Sequence, residues 1–524
     1  MESSDPSSNV RPISALYLRL ATLLFPPWGL VLLWRTPHRL RRKLVGTLGI
    51  AFFSILYVAL ILFIFVRLGA LQIEWRGGYA PALTWRKSLP DYGALERDRA
   101  KRASGILTND SLSAAGNPWP GFRGPDRDSH YDQKTILTNW PANGLTLLWR
   151  QPCGGGYSSF AIAQGLAFTI EQRRDNEVAV AYNFKDGYEI WTSAWPDHFQ
   201  EYFSEEGPRS TPTFSDGKVY ALGAMGELRC LDAATGKMLW SHNILVEYHA
   251  SVPTYGIASS PLVLGDKLIV QSSAGNGKSV LCYDKRDGKL LWSALDDVTG
   301  YASPSLVNLA GQDQIIICAE TRTLGLSSED GKILWEYPWR VLHNQLPIAQ
   351  PLPLSSNRFL LSAGYFTGCA AVEVSLSPSE RKKSGAEISL SPSDGERAGV
   401  RVDLSARTLW QNKNLKNKFS SSVFWQGYIY GLDEDILTCL DATTGERKWK
   451  DGRYGYGQLL LANGHLIILS GEGELALVKA IPERFEELAR FQAIKGKTWN
   501  HPAIADGKIL VRNAQEMACF QISP

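Results

Sequence analysis

Five copies of one nine-residue pattern constrain this chain more than any other feature. Asp232-Ala-Ala-Thr-Gly-Lys-Met-Leu-Trp240 is echoed by Asp284-Lys-Arg-Asp-Gly-Lys-Leu-Leu-Trp292, Ser327-Ser-Glu-Asp-Gly-Lys-Ile-Leu-Trp335 and Asp441-Ala-Thr-Thr-Gly-Glu-Arg-Lys-Trp449. A looser copy stands at Asn183-Phe-Lys-Asp-Gly-Tyr-Glu-Ile-Trp191. Each reads as the end of one strand, a tight turn and the start of the next. The Gly reaches the positive φ that such a turn requires, and the aromatic packs between neighbouring sheets.

Repeated supersecondary units bury their apolar faces by stacking. The aromatic marks fall at Trp149, Trp191, Trp240, Trp292, Trp335, Trp410, Trp449 and Phe491. Most are spaced by about 40–50 residues, the period of a four-stranded propeller blade. The longer gap from Trp335 to Trp410 contains a polar segment, 375–400, with SLSPSE at 375–380 duplicated as SLSPSD at 389–394. It is too polar to bury a core and is expected to be a disordered insertion.

A second motif alternates with the first: a small polar lead, an apolar strand, a short turn and another apolar strand. Examples are STPTFSDGKVYAL (210–222), SSPLVLGDKLIV (259–270) and SSSVFWQGYIY (420–430). The last copy, HPAIADGKILV (501–511), has no Trp strand after it, whereas Leu145–Trp149 is a Trp strand with no blade before it. Joining the two halves closes a ring and removes exposed sheet edges. The reading is an all-β, eight-bladed β-propeller with four-stranded blades and N/C-terminal closure, or seven blades if the Phe491 copy is not a true one.

Leu44–Val66 is an uncharged run of 23 residues. At about 1.5 Å per residue it reaches roughly 34 Å, enough to cross a ~30 Å hydrocarbon core. Just before it lies a short cationic loop, Arg35, Arg39, Arg41, Arg42 and Lys43. Cationic loops stay on the cytoplasmic side, which places everything after Arg67 outside. Leu20–Trp34 is shorter and broken by Pro26-Pro27, so re-entrant or interfacial packing is expected there. The expected organisation is 1–43 cytoplasmic or interfacial, 44–67 a transmembrane helix, 68–116 a polar linker and 117–524 the propeller. The expected location is the inner membrane, with lipid contacts through 44–67 and the propeller in the periplasm.

Net charge is +3, but residues 1–67 carry eight Arg or Lys against Glu2 and Asp5, which leaves the remainder at −3. A nucleic-acid partner is not indicated. Seven Cys form no CxxC pair; Cys230, Cys282, Cys439 and Cys519 occupy equivalent repeat positions and are expected to be buried apolar residues rather than disulfides. The eight His are scattered without a metal-ligand spacing, and Gly275-Asn-Gly-Lys-Ser279 lacks the first Gly of a phosphate loop and is expected to be a hairpin turn.

The D-A-x-T-G-x-x-x-W pattern resembles the pyrroloquinoline-quinone (PQQ)-like propeller repeat, over about residues 118–523. This repeat is found in quinoprotein dehydrogenases and in the lipoprotein of the outer-membrane β-barrel assembly machinery. The lead-in Trp119-Pro-Gly-Phe-Arg-Gly-Pro-Asp-Arg-Asp128 is similar to the opening of many bacterial proteins with such repeats. The resemblance implies a fold, and two functions. One is a non-catalytic protein-interaction or assembly scaffold with partners in the envelope, the reading adopted here with no cofactor expected. The alternative is a PQQ-dependent alcohol or sugar dehydrogenase holding PQQ with Ca²⁺; the adjacent Cys pair that many such enzymes carry is missing. Residues expected at the mouth of the axial funnel are Tyr157, Arg209, Tyr255, Tyr301, Gln350, Lys418, Tyr456 and Trp499, with Glu171 and Arg173 after the inner hairpin of the first blade. Such a mixture suits a small anionic or planar ligand, or an extended peptide.

Overall fold

The computed structural model describes residues 14–68, 70–74, 82–85, 92–102, 118–201, 204, 206–377 and 404–524. The chain divides into an N-terminal unit and a β unit.

The N-terminal unit contains α1 (Ala15–Leu24), α2 (Pro26–Trp34) and α3 (Leu40–Arg67), followed by a strand pair, Leu71–Glu74 with Ala82–Trp85. Among the described residues α3 is the one helix long and apolar enough to cross a membrane. It begins earlier than the uncharged run, so Arg41, Arg42 and Lys43 form its first turn rather than a loop. The expected linker also contains order: the strand pair lies in it, as does α4 (Tyr92–Arg102), which belongs to the β unit.

In the β unit, eight antiparallel sheets follow one another, each a four-stranded meander. Blades 1 to 8 cover 161–195, 213–243, 262–294, 305–338, 352–412, 423–453, 458–492 and 503–521, with Leu147–Pro152 supplying the outer strand of blade 8. The two chain halves therefore share the last sheet, pairing Cys519 with Trp149. Blade 7 gains a fifth strand, His130–Tyr131, parallel to its inner one. The insertion starts later than its composition suggests, because Ser375 and Leu376 still pair with Ser405 and Leu404. Residues 378–403, the rest of that segment, lie outside the described residues, as do residues 1–13.

Every repeat aromatic sits on an outer strand, opposite a small residue in most blades. Cys230 faces Trp240, Cys282 faces Trp292, Cys439 faces Trp449, and Gly325 faces Trp335. All seven cysteines are buried and free. The Trp ring then reaches the next blade. Trp191 donates its indole N–H to Ala233 O at 2.9 Å, Trp410 to Ala442 O at 3.0 Å and Trp449 to Ile481 O at 2.8 Å. The turn Gly of that next blade lies flat on the ring: at Gly236 (φ +72°) a Cβ would come within 2.6 Å of Trp191. The nine-residue pattern thus encodes an inter-blade joint, with Trp on one blade and its receptor, the Asp-x-x-x-Gly turn, on the next.

Two further devices close the ring. The small polar leads form a hydrogen-bonded annulus: Ser159 N–H donates to Thr211 Oγ1 (3.0 Å), Thr211 N–H to Ser260 Oγ (2.9 Å) and Ser260 N–H to Ser303 Oγ (2.8 Å). With its amide oriented to satisfy both atoms, Gln350 accepts from Ser303 N–H at 2.7 Å, and its own N–H donates to Ser421 Oγ at 3.0 Å. Gln458 bridges to Phe419 O and Trp499 O, and Ser159 Oγ donates to His501 O, completing the circle.

The second device is the segment 119–131, which plugs the axis. Trp119 pairs with Ile162 of blade 1, and Phe214 N–H of blade 2 donates to Pro120 O. Arg127 donates to Ser260 O, Pro261 O and Pro304 O of blades 3 and 4, and Arg123 to Ser422 O of blade 6. Burial disfavours the charge on both guanidinium groups, and the ring of carbonyls they fill compensates for it.

Candidate functional site

In every blade but the seventh, the residue four places before the inner strand lines one central cavity. On one face of the propeller these lead-ins converge on a cavity of about 480 Å³. Its lining comes from the connections before seven of the blades, from Gln458 at the start of blade 7, from Tyr365 in a turn of blade 5, and from Phe122 of the plug. Phe122 meets His501 edge-on at 5.8 Å, so the plug supplies the floor and the cavity is blind rather than a channel.

The walls are aromatic. Trp499 stacks on Tyr157 (5.5 Å, 20°) and on Phe419 (4.9 Å, 27°), and Tyr456 meets both Phe419 and Trp499 at steep angles. Tyr255 and Tyr301 form a second, T-shaped pair. Two cations are set among these rings. The Arg209 guanidinium lies 5.5 Å from the Tyr157 ring and 4.6 Å from Phe199, donates to Gly207 O at 2.7 Å, and stands 3.6 Å from Glu201. The Lys418 ammonium lies 4.7 Å from the Tyr456 ring and 5.0 Å from Tyr365, and donates to Tyr456 Oη at 2.8 Å. Burial lowers the pKa of both groups; Glu201 and the tyrosines oppose this at Arg209, and Glu434 opposes it at Lys418. Lys497 caps the rim, 3.9 Å from the Trp499 ring. At the floor His501 accepts from Ser129 Oγ at Nε2 (3.0 Å) and donates from Nδ1 to Pro502 O (2.7 Å). Burial, then the charge of Arg123, pushes its pKa down to about 3, so the ring is neutral.

Tyr157, Arg209, Tyr255, Tyr301, Gln350, Lys418 and Trp499 line the cavity, and Tyr456 packs directly behind Lys418. Glu171 and Arg173 are placed elsewhere, in the seam between blades 8 and 1. Glu171 accepts from Arg173 (2.9 Å), Tyr182 Oη (2.8 Å) and Gly154 N–H (2.9 Å), with Arg512 of blade 8 at 3.9 Å. Burial opposes its charge, but Arg173 and Arg512 hold the carboxyl below its ordinary value. Arg512 also donates to Thr169 Oγ1 and Gly154 O, so the network ties the closing blade to the first. Phe122, Tyr365 and Phe419 were not singled out from the sequence. Phe419 adjoins Lys418 at a repeat-equivalent position and could have been found; Tyr365 sits in a turn without a repeat counterpart.

A family model described as outer membrane protein assembly factor BamB matches residues 174–348, blades 1 to 4 in this structure. The matched stretch carries the PQQ-like repeat. Among solved structures, the quinohaemoprotein alcohol dehydrogenase ADHIIG of Pseudomonas putida superposes with a TM-score of 0.51 at 12% identity, covering 79% of this chain and 82% of its own. BamB of Moraxella catarrhalis aligns at 15% identity over 67% of this chain and 93% of its own, with a TM-score of 0.46. No curated protein sequence matches the chain. At these identities the likeness concerns the fold.

The described cavity residues do not fit the Ca²⁺ that accompanies PQQ in the enzymes for which the repeat is named. Ca²⁺ takes six to eight oxygen ligands, typically including carboxylates. Here the described lining offers serine hydroxyls and glutamine amides but no carboxylate, and Arg209 and Lys418 would repel the ion. No group of His, Cys, Asp or Glu spaced for a metal occurs among the described residues. The lining combines aromatic faces with two cations, Arg209 and Lys418.

Proposed function

We propose that this PQQ-like propeller is a non-catalytic scaffold, anchored in the inner membrane by α3, that captures a protein partner at its periplasmic funnel. The observation that carries the reading is the blind, aromatic cavity with Arg209 and Lys418 set in its wall. Aromatic pockets bury a partner's ring or aliphatic side chain, and a carboxylate beside that anchor would meet a half-buried cation. The rigid annulus and plug beneath mean that the site is preformed, which limits the ordering cost of binding. The assembly-factor model matched by blades 1 to 4 agrees with a scaffold role. The basic residues flanking α3 support the orientation.

The test is purification of the full chain in mild detergent beside an Arg209→Glu/Lys418→Glu variant. The expected outcome is a stoichiometric partner with the parent that is lost with the variant, while both melt at similar temperatures. PQQ- and Ca²⁺-dependent dye reduction with alcohols or sugars by the purified chain would overturn the reading in favour of a dehydrogenase.

A further inference from the structure

The N-terminal unit is more than a single anchor helix. α1 and α2 fold back on each other at Phe25-Pro26-Pro27, where Pro26 opens α2 without an N–H to satisfy. The two helices cross so closely that a Cβ on Gly29 would lie 2.7 Å from Thr22 Cα. The hairpin lies along α3. At its open end Trp34 Nε1 donates to Thr47 Oγ1 (3.0 Å) and Lys43 Nζ donates to Trp34 O (3.0 Å). At its closed end Tyr57 Oη reaches Leu24 O at 3.4 Å. From Thr47 to Tyr57 is ten residues, or about 15 Å of helix, which matches the roughly 14 Å length of α2. The hairpin therefore covers about half the ~30 Å depth of a hydrocarbon core.

Its surface is apolar where no protein covers it. Leu16, Leu20, Leu23, Leu24, Phe25, Trp28 and Val31 are all exposed, continuing the exposed belt of Leu44, Leu48, Phe52 and Ile55 on α3. The charges gather at the open end: Arg35, Arg39, Arg41, Arg42 and Lys43. Arg19, one and a half turns into α1, has a stem long enough to reach the same level. Tip and rim thus differ in chemistry along one axis, as a membrane leaflet does.

We infer that α1–α2 is a re-entrant wedge that enters the leaflet on the cytoplasmic side, ends near the bilayer midplane, and seats anionic lipid headgroups on its cationic rim. The occupant is lipid because the apolar depth equals one leaflet and the rim matches phosphate charge. This leaves three helices in one leaflet and one in the other, a cross-section that favours a curved or packing-stressed membrane. The inference rests on α3 spanning the membrane and is independent of what the funnel binds.

Single-cysteine labelling of the full chain tests it, since the seven native cysteines are buried in the propeller. Ser14→Cys, Phe25→Cys, His38→Cys and Glu96→Cys variants in spheroplasts are exposed to an impermeant maleimide before and after permeabilisation. The expected pattern is Glu96→Cys labelled at once, Ser14→Cys and His38→Cys only after permeabilisation, and Phe25→Cys only after extraction in mild detergent, which leaves the propeller folded and its own cysteines buried. Labelling of Phe25→Cys in intact spheroplasts would mean that α1–α2 crosses the membrane, and labelling with Ser14→Cys would mean that it lies on the surface. A Phe25→Cys disulfide dimer would mean that a second copy covers the tip. Each of these overturns the wedge. Ser14→Cys and Glu96→Cys labelling on one side would instead remove the spanning helix itself. For the rim, Arg39→Gln/Arg41→Gln/Arg42→Gln should lower co-purified phosphatidylglycerol severalfold relative to phosphatidylethanolamine; an unchanged ratio refutes the headgroup contact.

Discussion

Replacing Arg127 by Met should loosen the axis of the propeller without altering any blade. Its guanidinium donates to Ser260 O at 3.2 Å, to Pro304 O at 2.9 Å and to Pro261 O. Bonds from a charged donor are worth about 1.5–3 kcal/mol each, or roughly 4–9 kcal/mol for the set. Removing a buried charge returns several kcal/mol of desolvation. Met keeps the length and the apolar stem, and Pro261 O retains the Thr213 hydroxyl at 2.6 Å, so the uncompensated carbonyls are Ser260 O and Pro304 O. The net loss is about 2–4 kcal/mol. Scaled to a domain of this size it amounts to a drop in Tm of about 2–5 °C. Differential scanning fluorimetry of the full chain in detergent reads the shift. Hydrogen exchange should show faster amide turnover at 119–131, with the outer strands unchanged. A Tm within 1 °C of the parent together with unchanged exchange would refute the view that the plug clamps the blades.

Gly236→Ala forces a Cβ onto Trp191 at positive φ and should cost roughly 1–3 kcal/mol in urea unfolding, whereas Gly217→Ala (φ +71°, with open space around it) should cost less. His501 has its pKa depressed to about 3 by burial, so its contribution is present above pH 6.5 and is lost as pH falls toward 3. The unfolding free energy from urea titrations should fall in that window by up to about 1.4 kcal/mol per pH unit, and His501→Gln should flatten the profile. Glu177, buried against Ala224 N–H and Trp195 Nε1, has its pKa raised to about 7, chiefly by burial. Its contribution is therefore present below pH 4.5 and lost as pH rises through 7; in urea unfolding Glu177→Gln should be more stable than the parent at pH 8, by about 1–3 kcal/mol, and equally stable at pH 4.

Much of the architecture is local information. A turn Gly, a small residue opposite a Trp and a period near 45 residues recur because each blade solves the same packing problem, and such solutions are written into adjacent positions. The unpaired halves at the two ends of the repeat array were equally visible, which is why closure through Trp149 and Cys519 could be read in advance. The uncharged run of α3 was legible for the same reason, since length and apolar composition are written in consecutive residues.

The funnel was only half local. Its lead-in residues recur by position, so Tyr157, Arg209, Tyr301 and Trp499 could be picked by register, with Lys418 one place out of it. Glu171 and Arg173 were placed by following the inner hairpin of the first blade, yet Glu171 is tied to Arg173 and faces Arg512 of the closing blade, in the seam of the ring. Trp119–Asp128 read as a family signature; its work as floor and clamp emerged only when six blades converged on it. Ring closure decides these matters. It brings together residues hundreds of positions apart, and no periodicity records which buried charge will meet which carbonyl once the last blade is shut.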